Sequence, residues 1–195
     1  MATLFVDKLD PQSGTALEIG SSGDTISVPS GATINLSNAT QTGVGGDNTP
    51  YFTAYKSANS NISNETWTVI VCDTEKQDSA SAYNTSTGIF TVPSGQGGKY
   101  YLEHGIRVEA STSQVDELYT YGETGVGTTQ YWGNGALDFR GNAGQGGTIG
   151  GAAILTLAAG DTAKIKIYAG LNAGTPTITG NSFLTTWFLG YKLIT

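Results

Sequence analysis

The residues best suited to chemistry are few and widely separated. The chain contains one histidine, His104, and one cysteine, Cys72, and neither lies in a short motif that would activate a nucleophile. One cysteine and one histidine are also too few for a zinc site. His104 belongs to the aromatic segment 100–104, so we expect it to replace a core aromatic residue, and we expect Cys72 to be a small buried side chain. This pattern predicts no catalytic residue and no cofactor.

Carboxylates are the other groups that could bind a ligand or transfer a proton. Asp73, Glu75 and Asp78 lie close together in what reads as a loop, and oxygen ligands of this kind suit Ca²⁺. A solvated acidic turn is the simpler interpretation. Asp116 and Glu117 are adjacent, and neighbouring residues of a strand point to opposite faces, which argues against joint acid–base catalysis. We predict no metal ligand, while the Ca²⁺ alternative stays open.

Aromatic residues that alternate with glycines form the candidate recognition surface. They are Tyr119, Tyr121, Tyr131 and Trp132. Tyrosine and tryptophan offer a large rigid contact area with a polar edge, which suits a protein or a sugar partner. The alternative is that some of these rings pack against a neighbouring subunit. The glycine-rich segments 43–46 and 141–147 lack the Gly-Lys-Ser/Thr ending of a phosphate-binding loop, so we expect flexible connections there.

The composition favours a β-protein with little charge. Of 195 residues, 38% are apolar, 10% aromatic and 13% charged, and glycine occurs 28 times. This balance argues against disorder and against long helices. The net charge of -7 argues against nucleic-acid binding. The longest near-apolar run, 150–160, is about half of a membrane span, and the first residues lack a signal-peptide pattern. We therefore expect no membrane insertion and synthesis in a cytoplasm.

Residues 1–46 form a zone with a sparse apolar pattern. Short alternating pairs are separated by turn-forming segments at 20–24 and 29–31, a spacing that predicts a small β-meander. Two or three strands of this size cannot form an independent core. We therefore expect the apolar side chains to bury against another protein, so that this zone acts as an anchor. The candidate anchor residues are Leu4, Phe5, Val6, Leu17, Ile19, Ile26, Val28, Ile34 and Leu36.

Residues 47–195 predict a second, all-β domain, which a glycine-rich linker at 40–47 connects to the first zone. Strands are expected near 51–56, 66–71, 88–92, 99–108, 114–121, 129–139, 148–157, 162–168 and 182–194. Many short strands at this spacing indicate a β-sandwich or a jelly roll. The last strand is too apolar for a solvent-exposed edge, so it should lie centrally in its sheet.

Several motifs of the second domain resemble the C1q/TNF-like family. They are the spaced residues Asp78, Tyr83 and Phe90, the strand start Gly98-Lys99-Tyr100, the turn Leu155–Asp161 and the closing strand Phe188–Leu193. The resemblance covers residues 51–195. It implies a C1q/TNF-like jelly-roll β-sandwich of ten strands, in a family whose members are usually homotrimers. No ligand or metal site is carried over from the family.

Residues 17–33 resemble segments found in structural proteins of tailed phages. Together with the C1q-like domain, this resemblance implies a trimeric protein on the virion surface, with sister subunits and a major capsid protein or another virion protein as partners. The first hypothesis is a capsid decoration or cement protein that attaches through its N-terminal segment. The second is a short fibre tip or adhesin that binds a host surface receptor or glycan. An enzyme, such as a sugar hydrolase, would need an acid–base pair that the sequence lacks.

Overall fold

The computed structural model describes residues 9, 13, 15, 19–35, 48–110, 114–125, 127, 129–140 and 144–194. The chain divides into two units, Met1–Val44 and Gly45–Thr195. In the second unit the described residues form thirteen strands and no helix. The strands are β1 (Tyr51–Tyr55), β2 (Ser60–Asn61), β3 (Thr68–Val69), β4 (Thr74–Asp78), β5 (Tyr83–Asn84), β6 (Ile89–Thr91), β7 (Gly98–Glu109), β8 (Val115–Gly125), β9 (Tyr131–Asp138), β10 (Gly146–Leu157), β11 (Thr162–Leu171), β12 (Thr177–Ile178) and β13 (Trp187–Lys192). The part of the chain that is described contains no helix able to cross a membrane.

The strands form two antiparallel sheets. Sheet 1 has the order β2-β12-β7-β13-β1-β4, with β10 along the other side of β7. Sheet 2 has the order β5-β6-β11-β8-β9, with β3 beside β11. The sheets alternate buried and more exposed residues along their long strands, as β8 and β11 illustrate. This alternation places one side of each sheet against the core and leaves the other side open.

The core is built around stacked aromatic rings between the two sheets. Phe52 stacks on Tyr83 and Phe90 at centroid distances of 5.2 Å and 4.7 Å, and Phe188 meets it edge-on at 4.9 Å. Cys72 is completely buried, and its backbone N–H donates a hydrogen bond to the Tyr83 hydroxyl at 3.2 Å. The prediction that Cys72 is a small core residue is therefore confirmed.

Most predicted strands of the second domain are present, although segment 66–71 contains only the two-residue strand β3. The closing strand β13 lies between β7 and β1, so the prediction that it is central is confirmed. The prediction of an acidic loop before Asp78 is wrong, because Thr74–Asp78 is strand β4 at the edge of sheet 1. Its sequence is polar throughout, so no apolar alternation marks it as a strand.

In the first unit, residues 19–35 have the predicted turns but not the predicted strands. Backbone hydrogen bonds close turns from Asp24 to Ser21 and from Ala32 to Pro29. Residues 19–35 contain no strand, in contrast to the predicted meander. A strand needs a neighbour for its backbone groups, and short segments with little apolar surface do not supply one to each other. Leu4, Phe5, Val6, Leu17 and Leu36 lie outside the described residues.

Candidate functional site

The outer side of sheet 2 carries five aromatic side chains, which we call the aromatic face. They are Trp67, Tyr119, Tyr121, Tyr131 and Tyr168. Within β8, Leu118 and Thr120 are buried, whereas the tyrosines beside them point away from the core. Three of the four predicted recognition residues are therefore brought together, and two further rings join them.

The rings of the aromatic face contact one another across neighbouring strands. Trp67 lies against Tyr121 and Tyr168, with centroid distances of 4.5 Å and 5.7 Å. Tyr119 packs on Tyr168 at 5.9 Å, and Tyr121 packs on Tyr131 at 5.2 Å. Trp67 and Tyr131 nevertheless keep 44% and 64% of their surface exposed. Rings that hold one another in place while open to solvent form a preorganised contact surface.

Trp132, the fourth predicted recognition residue, lies in the core, which contradicts a surface role. Its side chain is only 3% exposed. A register shift between Thr120 and Gly122 pairs Gly122 with Trp132, and the indole occupies the space beside the glycine. Tyr131 pairs with Glu123 and stays on the outer side. Consecutive residues of β9 thus send one ring to each side of the sheet.

Charged side chains border the aromatic face and pair with one another. They are Glu117, Glu123, Asp138, Arg140, Lys164 and Lys166. Glu123 lies 3.0 Å from the Lys164 ammonium and 2.7 Å from that of Lys166, and these contacts lower its pKa. Arg140 donates to both carboxylate oxygens of Asp138, at 2.9 Å and 2.6 Å, which holds the pKa of Asp138 at about 2. These six charges are therefore balanced within the chain. Glu65 is a further carboxylate near the rings, and desolvation together with this charge raises the pKa of Tyr168.

His104 is a core residue and takes no part in a surface site. Its Nε2 lies 3.0 Å from the Thr120 hydroxyl, and that hydroxyl donates to the Lys166 carbonyl at 2.8 Å. Because the single hydroxyl proton is used there, Nε2 carries the imidazole proton and donates to Thr120. Burial lowers the pKa of His104 to about 4, so the ring is neutral near pH 7. The expectation that His104 replaces a core aromatic residue is confirmed by its position.

The carboxylates considered for Ca²⁺ are used in separate hydrogen bonds. Asp73 accepts from the Lys56 ammonium at 2.7 Å and from the Ser57 N–H at 2.8 Å. Burial alone would raise the pKa of Asp73, but these bonds outweigh it and hold the pKa at about 2. Asp78 accepts from the Tyr83 N–H at 2.8 Å. Within the described residues, no group of three or more His, Cys, Asp or Glu side chains converges as metal ligands would.

The outer side of sheet 1 carries a second surface, which we call the apolar row. Its members are Tyr51, Tyr101, Ile154 and Tyr191, which are register partners across four neighbouring strands. The rings of Tyr101 and Tyr191 lie 5.3 Å apart, and Ile154 is 60% exposed. Leu189 lies two residues before Tyr191 on the same side of β13. A row of large apolar side chains on an open sheet face suits packing against another protein surface.

The described apolar residues of the first unit are also exposed. Ile19, Ile26, Val28 and Ile34 keep 58%, 62%, 44% and 60% of their surface in solvent. Burying apolar side chains of this kind against a partner stabilises the complex by about 25 cal/mol for each Å² removed from water. These four anchor candidates are therefore available for contact.

Sequence reasoning missed Trp67 and Tyr168 for different reasons. Tyr168 follows Lys164 and Lys166 on the outer side of β11, and this alternation was a usable signal. Trp67 comes just before the two-residue strand β3, where no periodicity indicates which way a side chain points. Only the pairing of β3 with β11 brings Trp67 beside the tyrosines.

Comparison with known proteins shows the fold. No family profile and no curated protein matches the chain. The globular domain of zebrafish complement 1qA protein is 16% identical, with a TM-score of 0.53 over 74% of this chain and 97% of that domain. Murine APRIL is 13% identical, with a TM-score of 0.54 over 73% of this chain and 99% of that chain. Eiger TNF from S. frugiperda is 15% identical, with a TM-score of 0.53 over 74% and 93%. The predicted C1q/TNF-like jelly roll is confirmed.

Proposed function

We propose that this chain is a non-enzymatic structural protein on the surface of a tailed-phage virion, where it acts as a trimeric capsid decoration or cement protein. The observation that carries the proposal lies in the first unit, where the described apolar side chains are all exposed and residues 19–35 contain no strand. A segment of this kind gains stability by binding an assembled particle. Its resemblance to phage structural proteins supplies the identity of the particle.

The trimer forms through the outer side of sheet 1. The apolar row crosses four strands, and Ile154 and Tyr51 leave 60% and 39% of their surface exposed in the single chain. Burying such a row between subunits removes apolar surface from water. The carboxylate beside the row, Glu103, accepts a hydrogen bond from the Tyr101 hydroxyl at 3.0 Å. The low charge content of the whole chain, 13%, agrees with a protein whose faces meet other subunits.

The N-terminal segment attaches the trimer to the capsid. The candidate contacts are Ile19, Ile26, Val28 and Ile34 in the described part, with Leu4, Phe5, Val6, Leu17 and Leu36 assigned to the same role from the sequence. Three segments in one trimer give three linked contacts, and linking raises the effective affinity well above that of one contact. A protein that binds the assembled shell and not its free subunits stabilises the shell by mass action.

The test compares two double variants of the full chain on purified phage particles. Ile26→Asp with Val28→Asp places two charges on exposed apolar positions, and we expect particle occupancy to fall at least tenfold. Thr25→Asp with Ser27→Asp is the matched control, because it adds the same charge to neighbouring polar positions of the same segment. Equal occupancy of the two variants would overturn the anchoring role.

Immunogold labelling over the head supports decoration, and labelling confined to the tail contradicts it.

The second candidate function is a short fibre tip or adhesin that binds a host surface receptor or glycan. The aromatic face supports it, because Tyr119, Tyr121 and Tyr131 lie with Trp67 and Tyr168 on an open sheet surface. This role places the protein on the tail or on head fibres. The protein is made in the host cytoplasm and acts on the outside of the particle under either candidate.

A further inference from the structure

We infer that the aromatic face binds the rings of an uncharged polysaccharide. This inference deepens the receptor-binding candidate by naming the chemistry of its partner. The five rings form one connected surface, from Tyr119 through Tyr168, Trp67 and Tyr121 to Tyr131. The apolar C–H side of a sugar ring packs on such a surface, while its hydroxyl groups remain at the edges.

Electrostatics around the face select a neutral partner. Four carboxylates and three cationic side chains border the rings. Glu117, Glu123 and Asp138 are paired with Arg140, Lys164 and Lys166, whereas Glu65, which helps desolvation to raise the pKa of Tyr168, has no ion-pair partner among the described residues. Glu123 is held by two lysines, and Asp138 is held by both ends of the Arg140 guanidinium. An anionic polymer would have to break these pairs to find a counter-charge and would be repelled by Glu65. A cationic polymer would find one unpaired carboxylate, Glu65, for its many charges, whereas an uncharged sugar needs no counter-charge.

Polar groups on the face match the hydroxyl groups of a sugar. Among the described residues, neither the Trp67 indole N–H nor the Tyr131 hydroxyl has a hydrogen-bond partner, and both residues are exposed. The Tyr119 hydroxyl is engaged, since it donates to Glu117 at 3.0 Å, and this bond holds its ring in position. The site therefore offers rings that hold one another in place, with free donors on its middle ring, Trp67, and on its last ring, Tyr131. This arrangement gives orientation as well as affinity.

The two sheet faces differ in a way that separates sugar binding from subunit packing. The large side chains of the aromatic face are all aromatic and are bordered by paired charges. The apolar row includes Ile154 and lies beside Leu189, and flexible aliphatic groups of this kind interdigitate in subunit interfaces. We therefore assign the second copy of the chain to sheet 1 and the polysaccharide to sheet 2.

The test is affinity electrophoresis of the full chain through gels that contain a soluble polysaccharide. The probes are dextran, galactomannan and a β-1,3-glucan as neutral polymers, with alginate as an anionic and chitosan as a cationic polymer. We expect at least one neutral polymer to retard the protein, and we expect the retardation to be the same at low and high salt. Retardation only by a charged polymer, or by none of the five, overturns the inference.

The variants locate the site. Trp67→Ala and Tyr131→Ala are each expected to weaken retardation at least tenfold, and urea denaturation checks that both variants remain folded. Phe183→Ala is the matched control, because Phe183 is a ring with 87% of its surface exposed outside the aromatic face. Equal weakening by Phe183→Ala, or none by Trp67→Ala and Tyr131→Ala, contradicts the assignment. A protein oligomer in solution that dissociates in the Trp67→Ala variant would also contradict the assignment, because a second copy of the chain would then occupy the aromatic face.

The same samples separate this inference from the proposed virion function. Particle occupancy and subunit mass are measured for the native chain and for Trp67→Ala. Native protein that occupies particles but binds no neutral polymer overturns the sugar site alone. Protein that binds the polymer but does not occupy particles overturns the virion role alone.

Discussion

The indole of Trp132 occupies the place where Gly122 would carry a side chain. A Cβ atom built on Gly122 would lie 1.9 Å from Cε2 of Trp132. The two residues are register partners in β8 and β9, and the ladder shifts just before them. This arrangement turns Trp132 into the core and leaves Tyr131 on the aromatic face. A missing side chain in one strand thus decides which of two neighbouring rings can contact a ligand.

Gly122→Ala tests this relationship. The added methyl group cannot fit beside the indole without moving it, so we expect a loss of about 3 kcal/mol in the free energy of unfolding. Gly97→Ala is the matched control, because a Cβ atom there would be 3.4 Å from its nearest neighbour, an ordinary contact distance. Its expected effect is below about 0.5 kcal/mol. Urea denaturation measures both values, and equal losses would contradict the packing argument.

Acid is expected to weaken the fold through His104. Burial lowers the pKa of His104 from 6.5 to about 4, so the unfolded chain binds a proton more readily than the folded chain between these values. Stability therefore falls as the pH falls from about 6.5 to about 4, by about 3 kcal/mol for this group. On protonation, Nδ1 of His104 would carry the second proton. This atom is buried, and no group among the described residues accepts a hydrogen bond from it.

The variant His104→Gln isolates this contribution. Its amide can still donate to Thr120 but does not titrate in this range. Urea unfolding at pH 7 and at pH 4.5 is therefore expected to give a smaller difference for His104→Gln than for the native chain. Carboxylates of low pKa, such as Asp73, change the stability only at lower pH, and both proteins contain them. The same pH dependence in both proteins would rule out His104 as the cause.

The thiol of Cys72 is expected to be unreactive in the folded protein. Burial raises its pKa to about 12, and none of its surface is exposed. Thiolate is the reactive species, so a disulfide reagent at pH 8 should modify Cys72 only after denaturation. Thr91→Cys is the control, because it places a second thiol at an exposed position that should react at once. Rapid reaction of the native chain would show that the core around Cys72 opens readily.

Ile154→Arg is expected to dissociate the proposed trimer. It places a long charged side chain in the middle of the apolar row, where a partner subunit would have to take it out of water. The monomer should remain folded, because Ile154 is 60% exposed in the single chain. Thr91→Arg adds the same charge to an exposed position of sheet 2 and should leave the mass unchanged. An Ile154→Arg protein that keeps the native mass would exclude the apolar row as the interface.

The sequence predicted the parts of the fold whose pattern is local. Alternation marks the long strands, and the apolar closing segment indicates its central place as β13. The pattern fails where pairing partners decide the outcome. Polar β4 is a strand because it pairs with β1, whereas residues 19–35 carry alternating apolar pairs but pair with no strand in the described part of the chain. Tyr131 and Trp132 are neighbours in β9, so alternation alone sends them to opposite sides of the sheet. Which of the two turns inward depends on the pairing of Trp132 with Gly122, and composition does not show that pairing.

The central claim is that this chain acts as a trimer that assembles through sheet 1, and its mass in solution tests that claim most directly. Light scattering on the full chain, coupled to size-exclusion chromatography, should give about three times the 20.2 kDa mass of one chain. The measured mass should stay the same when the protein is diluted tenfold in moderate salt. A mass of one chain at every concentration would contradict the trimer, and with it the assignment of the apolar row to subunit contact.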